Sequence, residues 1–277
     1  MRLLLLLPLL FVPAAQVASQ APRTIEIVGT DYAFAAASTV KAGLTSFHFR
    51  NKGQHAHEFN VFLLKPGVTI DQIVAAAKAD KPQMPMIEGP VGVLFADPGT
   101  AAQAGLETNL LPGRDYGILC IFRDSANAPR HYALGMYSVI HVTGQRSTSR
   151  IVADTIVAVD YAYQRYPREI SPGPRSIAFK NNGKHRHEFN MALLKKGITL
   201  DSIVERDKRG ADVEDLFEVN GGMGVLHALP GNAALGNLSI DFLPGREYLI
   251  DCSFTDDEKS PPHYKLGMYG SIKVRPK

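Results

Sequence analysis

Residues 51–60 read NKGQHAHEFN, and residues 181–190 read NNGKHRHEFN, so one stretch occurs twice in the chain. Matching segments follow each copy: Leu63-Leu64-Lys65 with Leu193-Leu194-Lys195, Leu111-Pro112-Gly113-Arg114 with Leu243-Pro244-Gly245-Arg246, and His131-Tyr132 with His263-Tyr264. The offset is 130 residues at the first pair (51 and 181) and 132 at the last (131 and 263). Such a period is too long for a solenoid repeat, so the repeating unit is a whole domain.

Within each copy, short stretches with strand character dominate. In the first copy, alternating or β-branched and aromatic side chains mark residues 24–28, 45–49, 58–62, 116–122 and 137–142. Glycine and proline separate these stretches, as they do in turns. Residues 70–78 and 200–205 have helical spacing instead. The sequence therefore predicts an all-β chain of two Greek-key β-sandwiches, each with one short inserted helix.

The two ends of the repeat set the domain boundaries. Residues 3–15 are almost wholly apolar, follow a basic Met1-Arg2 start and precede small residues, which predicts a signal peptide over 1–21. A retained membrane anchor is the alternative, but this apolar core is short for a spanning helix. The polar segment 143–150 is typical of a linker, so we expect one domain over 22–145 and a second over 146–277. An exported chain is periplasmic or secreted, with no membrane span in its mature form.

The net charge limits which partners we expect, and the number of cysteines limits which disulfides are possible. A net charge of +3 over 277 residues provides no concentrated basic face, so we expect no nucleic-acid partner. The chain has two cysteines, Cys120 and Cys252, and in an exported protein two cysteines usually form a disulfide. Each lies within a strand of a different predicted domain, however, and a disulfide requires close Cα atoms. We therefore expect no disulfide between the two thiols.

Metal-ligand residue types recur at one spacing in both copies. A cysteine is followed after ten residues by a histidine and after four more by a methionine: Cys120, His131 and Met136, then Cys252, His263 and Met268. His57 and His187 each open an apolar stretch after an Asn-x-Gly turn. A thiolate, two imidazoles and a weak axial thioether are the donors of type 1 copper. Each residue type alone is commonly structural, but the repeated set predicts one copper in each domain.

Two further histidines compete for this assignment. His55 and His185 lie two residues before His57 and His187, so on a strand they would share a face with them. Either could replace its neighbour as the ligand or form a surface copper or zinc site. Their polar neighbours favour a third interpretation, a solvated loop.

Both halves resemble the cupredoxin, or blue copper, family in the Asn-x-Gly-x-x-x-His-Glu-Phe box and the Cys…His-x-x-x-x-Met loop. The resemblance covers nearly all of the mature chain and implies two tandem cupredoxin-like domains. It also implies two type 1 copper sites, one bound by His57, Cys120, His131 and Met136 and one by His187, Cys252, His263 and Met268. The gap between cysteine and histidine is longer than in small blue copper proteins. Glu58 and Glu188 also stand where many members of the family have asparagine.

The resemblance favours an electron carrier over an enzyme. In the family's oxidases and nitrite reductases, histidines flanking the copper cysteine connect to a second copper centre. Here the flanking residues are Leu119 and Ile121, and Asp251 and Ser253. We therefore expect one-electron transfer to a redox protein partner, with His131 or His263 as the exit and neighbouring apolar residues as a docking patch. Copper capture and delivery is the alternative, followed by a metal-free interaction module.

Overall fold

The computed structural model describes residues 21–277. Nearly all of the predicted signal peptide, residues 1–20, lies outside the described residues. Among the described residues, no helix is long and apolar enough to cross a membrane.

The first half of the chain is a sandwich of two sheets. Its elements are β1 (Arg23–Thr30), β2 (Ala33–Ala35), β3 (Thr39–Lys41), β4 (Gly43–Asn51), β5 (His57–Leu64), α1 (Ile70–Lys78), β6 (Ile87–Ala96), β7 (Ala104–Leu110), β8 (Asp115–Leu119) and β9 (Tyr137–Thr143). One sheet has the order β2-β1-β4-β7, and the facing sheet has the order β6-β5-β8-β9-β3. The β1–β4 and β3–β9 pairs are parallel, and the other pairs are antiparallel.

The second half repeats this arrangement. Its elements are β10 (Asp154–Val159), β11 (Ala162–Arg165), β12 (Glu169–Ile170), β13 (Gly173–Asn181), β14 (His187–Leu194), α2 (Leu200–Lys208), β15 (Phe217–Ala228), β16 (Ala233–Phe242), β17 (Glu247–Asp251) and β18 (Tyr269–Val274). The sheets run β11-β10-β13-β16 and β15-β14-β17-β18-β12. Two tandem Greek-key sandwiches, each with one short inserted helix, confirm the predicted fold class.

Strand β5 shows how the inserted helix is held. Phe59, Val61 and Leu63 face the main core between the sheets. Phe62 and Leu64 point to the other face, where they pack with Ile70, Ile73 and Val74 of α1. Successive strand residues alternate between faces, so a strand that is apolar at nearly every position is buried on both. The helix therefore covers the outer face of this sheet. It begins at a capping box formed by Thr69 and Gln72.

The two sandwiches are joined edge to edge. Strand β7 pairs with β16, and β6 meets β15, so each sheet runs through both halves. Leu106 lies opposite Leu238 and Val93 lies opposite Val225, so each residue meets its own counterpart in the repeat. This places a local twofold axis at the junction. The main core accordingly contains buried side chains from both halves. The predicted boundary between residues 145 and 146 falls between β9 and β10, and it stays a prediction.

Candidate metal centres

The first candidate centre lies at the end of the first sandwich where β5 begins. The Nδ1 atoms of His57 and His131 are 3.0 Å apart. The Sγ atom of Cys120 lies 3.4 Å from Nδ1 of His131 and 4.0 Å from Nδ1 of His57. All three side chains are buried, with at most 1% of each residue exposed. The structure thus places three soft or borderline donor atoms around one point in the protein interior.

The second centre reproduces the first. The Nδ1 atoms of His187 and His263 are again 3.0 Å apart, and Sγ of Cys252 lies 3.4 Å from Nδ1 of His263. All three residues are fully buried. Both cysteines are free thiols, each within its own cluster.

The loop before His57 is held by Asn51, the last residue of β4. Its side-chain amide donates to the carbonyl oxygens of His55 and Ala96, at 2.7 and 3.0 Å. Its Oδ1 accepts from the N–H of Gly53 at 2.8 Å. Asn181 makes the matching three bonds in the second half. The repeated Asn-x-Gly sequence is therefore a side-chain clamp that fixes where the first histidine enters its strand.

Asp31, in the turn after β1, closes the same loop from outside. Its Oδ1 accepts from the backbone N–H groups of Gln54 and His55 at 2.8 and 3.3 Å, and lies 3.4 Å from Nε2 of His57. A Cβ at Gly53 would lie 2.2 Å from this oxygen, so only glycine leaves room for the carboxylate. Asp160 occupies the equivalent place, 3.5 Å from Nε2 of His187.

A short 3-10 turn over His131–Leu134 carries the second histidine back to the cysteine. The backbone N–H of Cys120 donates to the carbonyl of Met136 at 3.1 Å, and its carbonyl accepts from the N–H of Tyr132 at 2.9 Å. Gly135 ends the turn with φ of 116°, a left-handed conformation that favours glycine. The second half repeats these bonds around Cys252. Met136 and Met268 are fully buried beside their cysteines in the fold, and their role as axial ligands stays a prediction.

The donor set fits a copper ion. Metal bonds of about 2.0 Å to imidazole nitrogen and 2.3 Å to thiolate sulfur place donors on one ion roughly 3–4 Å apart. Two imidazoles and a thiolate are the strong ligands of type 1 copper. Burial lowers the pKa of His57 and of His187, which keeps their imidazoles neutral and able to bind a metal. Burial also raises the pKa of each thiol to about 12, so a bound cation is needed to hold the thiolate form.

A cap of three side chains, Tyr32, His55 and Asp124, covers the outer edge of His131. Oδ1 of Asp124 accepts from Nε2 of His131 at 2.9 Å and lies 3.0 Å from Nδ1 of His55. Oδ2 accepts from the Tyr32 hydroxyl at 2.7 Å. Because the carboxylate holds the proton on Nε2, Nδ1 keeps its lone pair toward the cysteine.

The second cap is built from Tyr161, His185 and Asp256. The Asp256 carboxylate lies 3.2 Å from Nε2 of His263 and 2.9 Å from Nδ1 of His185, and it accepts from the Tyr161 hydroxyl at 2.8 Å. Asp256 lies in an exposed turn, and its carboxylate nevertheless makes all three of these contacts.

The caps bear on two expectations about histidines. His55 and His185 belong to the caps and lie outside the donor clusters; their side chains are 42% and 40% exposed. The side chains of His131 and His263 are 1% and 0% exposed, so neither reaches the surface as the expected electron exit. The carboxylate on each Nε2 atom accounts for the burial of His131 and His263, because it occupies the side of the ring that would otherwise face solvent.

Sequence reasoning missed all four cap and loop carboxylates, although the repeat contains the signal. Asp-Tyr-Ala occurs at 31–33 and again at 160–162, and an aspartate follows each cysteine at the fourth position, as Asp124 and Asp256. Comparing the two halves at positions other than the ligands would have identified both repeated signals, the Asp-Tyr-Ala segment and the aspartate after the cysteine.

The two centres differ in one buried carboxylate. Glu58 donates its N–H toward Sγ of Cys120 at 3.4 Å, while its Oε1 accepts from the N–H of Ile121 at 2.9 Å. Burial raises the pKa of Glu58 to about 7. The equivalent Glu188 is largely buried, with 14% of its side chain exposed, and His227 lies 3.4 Å away. This contact, with the charge of Arg186, holds the pKa of Glu188 below its ordinary value against the effect of burial. Phe95 stands in the place of His227 in the first half.

Comparisons with known proteins give structural likenesses only. No family model matches the sequence, and no curated protein matches it significantly. The reduced auracyanin of Roseiflexus castenholzii is 21% identical, covering 45% of this chain and 100% of its own, with a TM-score of 0.32. An azurin of Methylomonas sp. strain J is 9% identical over 45% of this chain and 100% of its own, with a TM-score of 0.30. A blue copper oxidase of Nitrosomonas europaea is 11% identical over 92% of this chain and 86% of its own, with a TM-score of 0.24.

At TM-scores this low the likenesses add no argument of their own. The assignment rests on features of this chain: two sandwiches with the strand orders given above, and in each a buried imidazole–thiolate–imidazole cluster at the same end. The histidine at the start of one strand and the cysteine and histidine of a later loop supply that cluster in both halves. The chain is a tandem of two cupredoxin-like domains, each with a candidate copper site.

Proposed function

We propose that this protein carries single electrons outside the cytoplasm through two type 1 copper sites. The observation that carries the proposal is the convergence of Nδ1, Sγ and Nδ1 atoms within 4.8 Å in each half. His57, Cys120 and His131 would hold one ion, with Met136 as a weak axial ligand. His187, Cys252, His263 and Met268 would hold the other. Copper supplies one-electron chemistry in such sites by alternating between Cu(I) and Cu(II).

The surroundings of the donors suit electron transfer. The Asn51 clamp, the backbone bonds of Cys120 and the Asp124 carboxylate fix all three strong donors from different directions. A donor set that is held in place rearranges little between oxidation states, which lowers the cost of each electron step. The same closure disfavours copper delivery, the alternative, because release of a metal requires access to its ligands.

An oxidase has less support. Neither cysteine is flanked by a histidine, so the route to a second copper centre that the family's oxidases and nitrite reductases use is missing from the sequence. Export rests on the apolar N-terminal segment followed by small residues. In such an oxidising location the fold keeps the two thiols apart, each within its own donor cluster.

The electron path to a partner has to cross the caps. Beside the first cap, Leu134 is 44% exposed, and beside the second, Leu266 is 46% exposed. Each lies in the turn that carries the loop histidine. Redox partners dock through small, transient interfaces, and an exposed leucine beside a buried donor is a suitable centre for one.

The visible spectrum of the purified protein during Cu(II) titration tests the proposal. We expect an intense thiolate-to-copper band at about 600 nm, as in His₂Cys sites. The band should lose one component in Cys120→Ser, the other in Cys252→Ser, and disappear in the double variant. A colourless protein that still binds copper would overturn the type 1 assignment.

Voltammetry separates electron transfer from delivery. A carrier should give a reversible couple and keep its Cu(I) when a chelator of moderate affinity is added. Sluggish redox with ready transfer of Cu(I) to the chelator would instead support capture and delivery.

A further inference from the structure

A cavity of about 570 Å³ lies at the junction of the two halves, beside the first copper centre. The first half supplies an apolar wall that includes Phe62, Ile73, Leu119 and Ile121. Cationic and imidazole groups from both halves complete the lining: Lys81, Arg130, Arg186 and His227. Among the described residues that line it, Asp80 is the one acid. Its volume is in the range of small-molecule sites.

Arg186 lacks a partner in this cavity. Its guanidinium carbon lies 4.8 Å from the centre of the Phe254 ring. Within residues 21–277 its guanidinium has no hydrogen bond and no carboxylate within 4.0 Å, although the side chain is only partly exposed to water. The nearby Glu188 carboxylate is already engaged by His227, Asn190 and Ser253. A partly desolvated cation with no carboxylate in direct contact is unfavourable, and a bound anion would relieve it.

Arg130 brings a second guanidinium to the same space. One of its N–H groups donates to the carbonyl of Ile121 at 2.7 Å, which leaves the rest of the planar fork for a ligand. Lys81 adds a third permanent cation, from an exposed position. Two guanidinium groups facing an apolar wall are suited to a carboxylate attached to an apolar body.

The local twofold axis shows that these charges are not a general property of the duplicated fold. The counterparts of the basic residues in the other half are all uncharged: Ala56 for Arg186, Phe95 for His227, Pro262 for Arg130 and Ala211 for Lys81. Two apolar positions of the cavity, Ala77 and Leu119, have acidic counterparts in Asp207 and Asp251. The positive character is therefore confined to the side of the junction that faces the first copper centre.

We infer that this cavity binds a small organic carboxylate, with the carboxylate between Arg130 and Arg186 and the apolar body against Leu119 and Ile121. Arg130 directly precedes His131, and Leu119 and Ile121 flank Cys120. On the proposed function, the bound anion would therefore act most directly on the first copper centre, and through Arg186, which directly precedes His187, more weakly on the second.

Calorimetric titration of the copper-free protein with benzoate at low salt tests the site itself. We expect saturable binding of one benzoate, with no measurable binding of the neutral probe benzyl alcohol. Arg186→Ala, which installs the residue of the first half, and Arg130→Gln should each weaken binding at least tenfold. Lys180→Ala removes one exposed positive charge elsewhere and serves as the control, which should bind benzoate normally.

Unsaturable binding, or equal affinity in both arginine variants and the parent, would overturn the inference and leave the copper proposal untouched. In the copper-loaded protein, benzoate should shift the visible band of the Cys252→Ser variant, which keeps only the first centre. The band of Cys120→Ser, which keeps only the second centre, should shift less. Benzoate binding to the copper-free protein supports the site even if neither variant forms a blue centre.

Discussion

Asp124 contacts three side chains at once: the Nε2 atom of His131, the Nδ1 atom of His55 and the hydroxyl of Tyr32. Hydrogen bonds from Tyr32 and His131 keep its pKa below the ordinary value, so it is a carboxylate at neutral pH. A carboxylate bonded to a metal-binding imidazole orients the ring and makes it more basic. A more basic ligand favours Cu(II) over Cu(I), so both caps are expected to lower the reduction potential of their centre.

Asp124→Asn tests this effect. It keeps the size of the side chain but removes its charge, so the potential of the first centre should rise. A tenfold change in the Cu(II)/Cu(I) affinity ratio corresponds to about 59 mV for one electron, and we expect a shift of that order by voltammetry. Asp256→Asn is the matched change for the second centre. An unchanged potential in both variants, with copper still bound, would assign the caps a purely structural role.

The thiols give a second prediction at this scale. Burial, reinforced by the charge of Glu58 at the first site, raises the pKa of Cys120 to about 12, so at neutral pH the copper-free thiol is protonated. A metal binds the thiolate, so binding must release this proton. We expect about one proton per copper in a weakly buffered titration near pH 7, and a gain in affinity with rising pH. Cys120→Ser should lose the proton release of the first centre, and equal release in that variant would contradict the assignment.

The sequence predicts residues of the centre that lie in repeated motifs, and it fails where a role depends on distance in space. His57, Cys120 and His131 are recognisable because each ligand type recurs with its spacing. The contact of Asp124 with His131 depends on the path of a ten-residue loop. The contact of Tyr32 with that aspartate spans 92 residues. Neither contact can be inferred from the residues adjacent to it along the chain.

At the scale of elements, the loop between β4 and β5 determines where the first histidine lies. Asn51 holds it from within, and Asp31 holds it from outside. The strands themselves were predictable, because their apolar side chains alternate or fill both faces. The side-chain clamps between strands were not, since an Asn-x-Gly turn indicates only that the chain reverses.

Gly53→Ala should disturb this loop without touching a ligand. The added Cβ would lie 2.2 Å from Oδ1 of Asp31, so the carboxylate must move away from the backbone of Gln54 and from His57. We expect lower thermal stability and weaker copper binding at the first centre, with the second centre intact. Gly183→Ala is the mirror test, where the Cβ would lie 2.4 Å from Oδ1 of Asp160. Gly113→Ala, at an open turn with no atom within 4 Å of the new Cβ, controls for the general cost of replacing a turn glycine. Gly113 has a φ of 69°, so its substitution adds backbone strain and copper binding is the discriminating readout; equal loss of copper at the first centre in Gly53→Ala and Gly113→Ala would contradict the proposed role of the loop.

On the scale of the whole molecule, the joining of the sheets could not be predicted from the repeat. The duplication predicts two similar sandwiches, but it does not say which edges meet. Gly224 shows how close the contact is: a Cβ there would lie 2.6 Å from the carbonyl oxygen of Val93 across the junction. Its φ of 141° is also in the region that favours glycine. These requirements become visible only when both halves are placed together.

The local twofold axis leads us to expect that an isolated half associates with a second copy of itself. In the intact chain β7 pairs with β16 so that Leu106 faces Leu238, its own counterpart. Residues 22–145 alone would expose this edge, whose unpaired backbone groups are a template for a second copy. Sedimentation velocity should show a concentration-dependent homodimer, and added 146–277 should convert it to a heterodimer. Leu106→Lys should abolish both assemblies because it places a charge at the junction, whereas Ala33→Lys on the exposed strand β2 should not. A folded half that stays monomeric at all concentrations would show that the junction depends on the covalent link between the halves.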